Sequence, residues 1–316
     1  MTLAHTHRDP QTIEPEEVGK LPVPIETDIT TFTPEEAGAG FEGTRMEEQT
    51  VPFLRMAQGL SPELNPGKGE YIPGLALGMI FNTATRERYP GQVPLPFIAC
   101  RKEYGYGQWL PRDLGGGFRG MISPDDPLVR ETMARMTAKY GSSARFKFPR
   151  YKADRGGWSD DPPLTRDTQE AIELVETGQL YILYGLPELT YENAKRAVVA
   201  FTSTALGGYT HFNDVHLAQK WPQRNGPPAI PPIYAYMWGL STFLDKRGNN
   251  EFYNWRVELV KQGDYLGSLY ARDDPELFAA AKEFYTQIGA GKVRADDTAG
   301  TAHGRQPGDD DDQVPF

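Results

Sequence analysis

Cysteine occurs once in the 316 residues, at Cys100, so neither an internal disulfide nor a cysteine-built zinc site is available. No apolar run approaches the roughly 20 residues that a bilayer-spanning helix needs, which excludes a helical membrane protein. The opening segment, MTLAHTHRDP, lacks the basic cluster and the apolar stretch of a secretory signal, and the cytoplasm is the expected compartment. Enzymatic signatures are also missing. The chain has no G-x-x-x-x-G-K-[ST], no G-x-G-x-x-G, no H-E-x-x-H and no C-x-x-C, so no catalytic residue, no metal and no cofactor is expected. His211, Asp214 and His216 lie close in sequence, but a separation of five does not place both imidazoles on one helix face.

Glycine and proline are abundant instead, 33 and 27 residues, about 19% of the chain against a usual ~12%. This is the composition of a loop-rich, short-stranded protein. The net charge of −10 is unevenly spread. Residues 1–50 carry three basic side chains against eleven acidic ones, and residues 296–316 carry Arg305 against six aspartates. The body between them is therefore mildly basic, and within it the stretch 101–155 has twelve Lys/Arg against six Asp/Glu. A polyanion meets such a local field rather than the average.

The sequence divides into a disordered acidic N-terminal arm (1–48), a single β-rich nucleic-acid-binding domain (49–295) and a flexible acidic C-terminal tail (296–316). The N-terminal arm is rich in Pro, Glu and Thr and too poor in apolar side chains to offset the entropy of ordering. Strands are expected over Val51 to Gln58, Tyr71 to Phe81, Leu95 to Tyr106, Gln179 to Leu186 and Lys195 to Thr204. A hairpin of Ile233 to Lys246 and Glu251 to Val260 is joined through Arg247-Gly248-Asn249-Asn250. Helices are expected from Asp125-Asp126-Pro127 to Tyr140, over Thr165 to Glu176, and from Asp274-Pro275 to Ile288. The expected fold class is α+β, β-rich, an OB-fold-like partly open barrel with helical insertions.

Aromatic and basic residues interleave in two places. Arg145, Phe146, Lys147, Phe148, Arg150, Tyr151 and Lys152 form one run, broken only by Pro149. If the run is extended, Arg145 and Lys147 share a side and Phe146 and Phe148 share the other. Arg101, Lys102, Tyr104, Tyr106, Trp109, Arg112 and Arg119 repeat the composition. A single strand of nucleic acid requires cations along its backbone and flat side chains for its bases, and these fourteen residues, Phe118 aside, are the candidate DNA contacts. Any one of the aromatics taken alone fits a core position as well. Tyr234, Tyr236 and Trp238, with Tyr253 and Trp255 on the return strand, also alternate as a stacking platform would, but one face of such a hairpin has to be buried and the core reading is preferred.

The chain ends in Asp309, Asp310, Asp311, Asp312, Gln313, Val314, Pro315 and Phe316. Together these offer a partner a ring for an apolar pocket, an α-carboxylate beside it and a string of negative charges for a basic rim. The segment resembles the C-terminal tip of bacterial single-stranded DNA-binding proteins, where acidic residues run into Ile-Pro-Phe; Val314 stands at the Ile position and Gln313 replaces the last acid. Gly38-Ala39-Gly40-Phe41-Glu42, Pro52-Phe53-Leu54, Leu60-Ser61-Pro62-Glu63, Asn82-Thr83 with Thr85, and Trp109 through Gly117 resemble a family of tailed-bacteriophage proteins. These resemblances imply a phage single-stranded DNA-binding protein in the host bacterial cytoplasm, serving replication, recombination or repair. Its partners would be single-stranded DNA and host or phage enzymes held by the tip, in a form compatible with a homo-oligomer. Two alternatives remain: a virion or assembly protein with a solubilising tail, and a Mg-dependent nuclease using Asp160, Asp161, Asp167, Glu170 and Glu173, although the N-terminal charge preference of a helix accounts for that acidic grouping.

Overall fold

A computed structural model describes residues 50–109, 118–140, 147–152, 158–159, 172–223, 226–248, 250–262, 265–266 and 274–295. All of them belong to the second of two units, residues 45–316. The expected acidic arms, 1–48 and 296–316, lie wholly outside the described residues.

The architecture is α+β and β-rich. Among the described residues, eleven strands form one sheet: β1 (Phe53–Met56), β2 (Ile80–Asn82), β3 (Arg88–Tyr89), β4 (Leu95–Trp109), β5 (Phe118–Ile122), β6 (Lys147–Lys152), β7 (Trp158–Ser159), β8 (Ile172–Tyr184), β9 (Lys195–Thr202), β10 (Met237–Arg247) and β11 (Asn250–Leu259). Three α-helices occur among the described residues, α1 (Pro127–Tyr140), α2 (Leu206–Ala218) and α3 (Pro275–Gly289). None is long and apolar enough to cross a membrane.

The main path through the sheet is β11-β10-β4-β8-β9-β1-β2-β3. Its centre is the antiparallel pair β4–β8, in register from Phe97 opposite Tyr184 to Trp109 opposite Glu173, with one irregularity between Ala99 and Arg101 that sets Cys100 out of the ladder. The outer edge of β4 pairs β10 through residues 95–98 and β5 through residues 106–109. The outer edge of β8 pairs β9 through residues 177–184 and β6 through residues 172–175. The only parallel contact in this sheet among the described residues is β9 with β1, at Val198 opposite Phe53.

Both faces of the middle of the sheet are buried, which is why β8 reads Leu-Tyr-Ile-Leu-Tyr with no polar alternation. On the first face Leu95, Phe97, Leu180, Ile182, Tyr184, Val199 and Phe201 pack with Tyr209 and Phe212 of α2 and with Trp238 and Trp255. On the second, Ile98, Cys100, Tyr181, Leu183 and Val198 pack with Leu277, Ala281, Phe284 and Ile288 of α3. The i, i+4, i+7, i+11 spacing of the α3 residues matches one helical face. Asp274 caps that helix by accepting from the Leu277 N–H at 2.8 Å, and Asp126 accepts from the Leu128 N–H at 2.8 Å at the start of α1.

The expected helix over Thr165 to Glu176 is corrected: residues 172–176 are the first part of β8, and 165–171 lie outside the described residues. Ile172-Glu173-Leu174-Val175 has β-branched side chains at two of four positions, and ladders on both edges override a weak helical pattern. The expected strand over Tyr71 to Phe81 is a strand only at Ile80–Asn82; before it, Gly74 and Gly78 take positive φ angles of 73° and 76° and fold the chain into turns. The first hairpin strand begins at Met237 rather than Ile233, because residues 233–235 form a 3-10 turn. The hairpin connection itself is as expected, with Arg247 opposite Asn250 and Gly248 at φ 60°.

Phe284 is fully buried on α3, and the Arg196 guanidinium lies 4.7 Å from its ring centre. Truncation to Ala should destabilise the fold by about 3–5 kcal/mol. A urea titration checks this as a lower midpoint at unchanged slope.

Candidate nucleic-acid interface

Beyond the Cys100 irregularity, β4 carries five of the expected DNA contacts, and alternation divides them between the two faces of the sheet. Arg101 turns to the second face, where it pairs with Glu103 at 3.6 Å and lies beside Gly289 at the end of α3. Glu103 also accepts from the Tyr181 hydroxyl at 3.3 Å. Trp109, half-buried, stands opposite Glu173. Lys102, Tyr104 and Tyr106 take the first face.

Those three same-face positions meet three different environments. Lys102 is exposed and its Nζ donates to Asn213 Oδ1 of α2 at 2.6 Å. Tyr106 is 5% exposed, packed with Leu174 and with Val129 of α1. Between them Tyr104 is 46% exposed. A strip of the first face is thus open between α2 and α1, and its floor is an aromatic ring with a lysine two residues away.

The Tyr104 ring is held from two sides. It stacks with Tyr209 of α2 at 6.4 Å between centroids and 19° between planes. Tyr209 comes this low because Gly178, opposite Tyr104, has no side chain: a Cβ there would lie 2.5 Å from the Tyr209 ring. The Tyr104 hydroxyl donates to Glu176 Oε1 at 2.5 Å, and Glu176 sits opposite Tyr106. Burial first, then the bond to Glu176, pushes the Tyr104 phenol well above its usual range. Burial and the Glu176 charge raise Tyr106 likewise, while burial leads the rise at Tyr209, whose hydroxyl donates to the Glu103 carbonyl at 3.1 Å. All three phenols are neutral hydrogen-bond donors at physiological pH.

The sheet brings the two interleaved stretches to one end. In the order β5-β4-β8-β6, β5 (which contains Arg119) pairs one edge of β4, and β6 pairs the far edge of β8 with Lys147 opposite Val175, Phe148 opposite Leu174 and Arg150 opposite Ile172. Tyr151 and Lys152 continue β6 against Ser159 and Trp158 of β7. Arg112, Arg145, Phe146 and the tip residues 309–316 lie outside the described residues.

Other candidates are not assembled. Tyr236, Trp238 and Trp255 are buried in the first-face core, Tyr234 packs on Phe278 and Tyr285 of α3, and the Tyr253 ring lies against Gly78. The 3-10 turn at 233–235 breaks the alternation that would have made the first three a platform. Of the acidic grouping, Glu173 is in β8 and residues 160, 161, 167 and 170 lie outside the described residues. No group of three or more His, Cys, Asp or Glu able to hold a metal occurs among the described residues.

Sequence reasoning missed Glu176, Tyr209 and Asn213. The α2 segment, LGGYTHFNDVHLA, hides its helix behind paired glycines and several weak helix formers. His211 and His216 both lie on α2; His211 is exposed and His216 is buried. His216 is stacked on Phe212 at 6.1 Å and edge-on to Tyr236, and its Nδ1 has no hydrogen-bond partner.

Burial, reinforced by the Lys102 ammonium and opposed by the Pro231 carbonyl, lowers the His216 pKa. The unfolded chain therefore takes up a proton near pH 6.5 while the folded chain resists it, so stability is full above about pH 6.5 and falls as pH drops from there through the lowered folded value. Urea midpoints compared at neutral pH and at the acid end of this window should fall in the native chain and fall less in His216→Leu.

The model of one protein family, described as Pam3 phage gp34-like protein, matches residues 26–294. No curated protein and no solved structure matches. The match takes in the whole of the sheet, all three helices and the strip around Tyr104, and the chain is accordingly a member of the Pam3 phage gp34-like family, a phage protein.

Proposed function

We propose that this phage protein binds single-stranded DNA along the β5-β4-β8-β6 end of its sheet and recruits host or phage replication and repair enzymes through its C-terminal tip. One observation carries the reading: the Tyr104 ring lies open between α1 and α2 beside Lys102, at the end of the sheet where both cation-and-aromatic stretches converge. An exposed, braced ring stacks a base without first paying for its own ordering. Unpaired bases are required, because those of a duplex are already stacked on one another. The OB-type barrel expected from the sequence belongs to the same proposal. What speaks for it is a long strand, β4, with an irregularity at Cys100 and different partners along its two halves, since a bulge bends its strand and raises the local twist. Catalysis forms no part of the proposal.

The tip supplies the second half. Asp309 to Asp312 mimic backbone charge and compete for the basic strip when DNA is absent, while Val314, Pro315 and Phe316 present a ring and a carboxylate to a partner protein.

Fluorescence anisotropy with single-stranded and duplex oligonucleotides, with and without Mg²⁺, tests the first half. Single strands should bind more tightly, with a log–log salt slope of about −0.7 per phosphate neutralised. Tyr104→Ala should weaken binding by about tenfold, the lower part of the ~1–3 kcal/mol range for one stack, and Lys102→Ala should flatten the slope by about 0.7. Salt-independent or absent binding would favour an assembly role, and Mg²⁺-dependent loss of the DNA a nuclease.

Two deletions test the tip. Removing Phe316 should strip the chain of captured host enzymes in a pull-down while leaving DNA affinity unchanged. Removing residues 309–316 should raise single-strand affinity, most at low salt where charge repulsion is least screened. An unchanged partner set after loss of Phe316 would reduce the tail to a solubility device.

A further inference from the structure

The open strip contains a carboxylate as well as a ring. Glu176 lies opposite Tyr106, accepts from the Tyr104 hydroxyl through Oε1, and is partly exposed. A carboxylate offers about four acceptor positions, and the Tyr104 hydroxyl occupies one. No other hydrogen bond or ion pair engages it among the described residues. It is next to both phenols, bonded to the Tyr104 hydroxyl and opposite Tyr106 in the ladder.

A fixed negative charge in a groove for a polyanion has two effects. It repels phosphate, so the backbone must run along the cationic margin, past Lys102 on the α2 side, and the bases must point inward. A base stacked on Tyr104 then turns its edge toward a pure acceptor. Cytosine presents an N4 amino donor at that edge, whereas thymine presents the O4 acceptor in the corresponding place.

Resting on the single-strand reading above, we propose that Glu176 is a specificity-determining residue that makes this strip prefer bases with an exocyclic amino group, cytosine over thymine among the pyrimidines. The two pyrimidines offer rings of similar size to the Tyr104 face, so the carboxylate rather than the stack distinguishes them. Tyr104 has a double role, as the stacking surface and, through its hydroxyl, as the group that holds Glu176 Oε1, so that Oε2 is the oxygen left to accept from the base.

The test is anisotropy with labelled homo-oligomers of dC and dT of equal length, in one buffer. The native chain should bind the dC oligomer roughly five- to tenfold more tightly, the size of one charge-assisted hydrogen bond gained against one repulsive contact. Glu176→Gln replaces a pure acceptor with an amide that both accepts and donates. Discrimination should collapse to within about twofold, while affinity for both oligomers rises with the loss of the negative charge. Glu176→Asp keeps the charge and withdraws it by one methylene, so discrimination should fall with no gain in affinity. Thermal midpoints close to the native value show that both variants are folded. Equal binding of dC and dT by the native chain, or discrimination that survives Glu176→Gln, overturns this inference and leaves the single-strand reading standing. Failure of the native chain to bind either oligomer overturns both.

Discussion

The pairing of β4 with β8 is the constraint on which the rest of the described structure depends. It runs from Phe97 opposite Tyr184 to Trp109 opposite Glu173, longer than any other ladder in the sheet, and each outer edge serves two successive partners. A period of two means that a slip of β4 by one residue against β8 would exchange the faces of every side chain along β4. Here such a slip would drive Lys102 and Glu103 into the places of their neighbours and take Phe97 out of the first-face core. The irregularity at Cys100 is the one place where the count changes. It lets Ala99 stay with the first-face core and Cys100 and Tyr181 with the second, while the strand beyond starts a fresh alternation that places Lys102 and Tyr104 toward α2. Burial of the Cys100 thiol pushes its pKa up, so it behaves as a small apolar group rather than as a nucleophile.

Where the two long strands are buried on both faces, side-chain choice is dictated by packing, and little room is left for chemistry. The open surface arises where the covering helices do not meet. Lys102 answers to α2, Tyr106 to α1, and Tyr104 to neither completely. The same gap explains the pattern of hydrogen bonds. Tyr104 and Tyr209 have polar atoms in low-lying positions, and both find partners, Glu176 and the Glu103 carbonyl. A half-buried hydroxyl left without one would cost free energy comparable to a hydrogen bond.

Much of the strand order's raw material was legible in the sequence, since Leu95 to Tyr106, Gln179 to Leu186 and Lys195 to Thr204 are apolar runs bounded by turn residues, and α1 and α3 announce themselves by Asp-Pro starts and helical spacing. The illegible parts have specific causes. Residues 172–176 carry a pattern short enough to suit either structure, and the decision falls to β4 and β6 on its two edges, contacts that no local window contains. The α2 helix carries two glycines in its first turn, one of which, Gly208, has a Cβ position 3.1 Å from the Trp255 carbonyl oxygen. That glycine is kept for close approach at the expense of helix propensity, so the local signal points away from the structure adopted.

The candidate site was half legible for a related reason. Composition alone marks Arg101 to Trp109 as cationic and aromatic, yet it does not say which members of such a run reach solvent. Of the three residues that share the first face, one is exposed and polar, one exposed and aromatic, and one is core. The difference between Tyr104 and Tyr106 is two positions along one strand, and it comes wholly from which helix lies above. Glu176 has no sequence signature, because its relation to Tyr104 exists only through the β4–β8 register. In the proposed interface, a carboxylate that would count against nucleic acid in a sum of charges would, fixed beside a ring by the ladder, orient bases and exclude phosphate from the floor of the strip. Net charge therefore says less about what this surface can bind than the order in which the ladder sets its lysine, its ring and its acid.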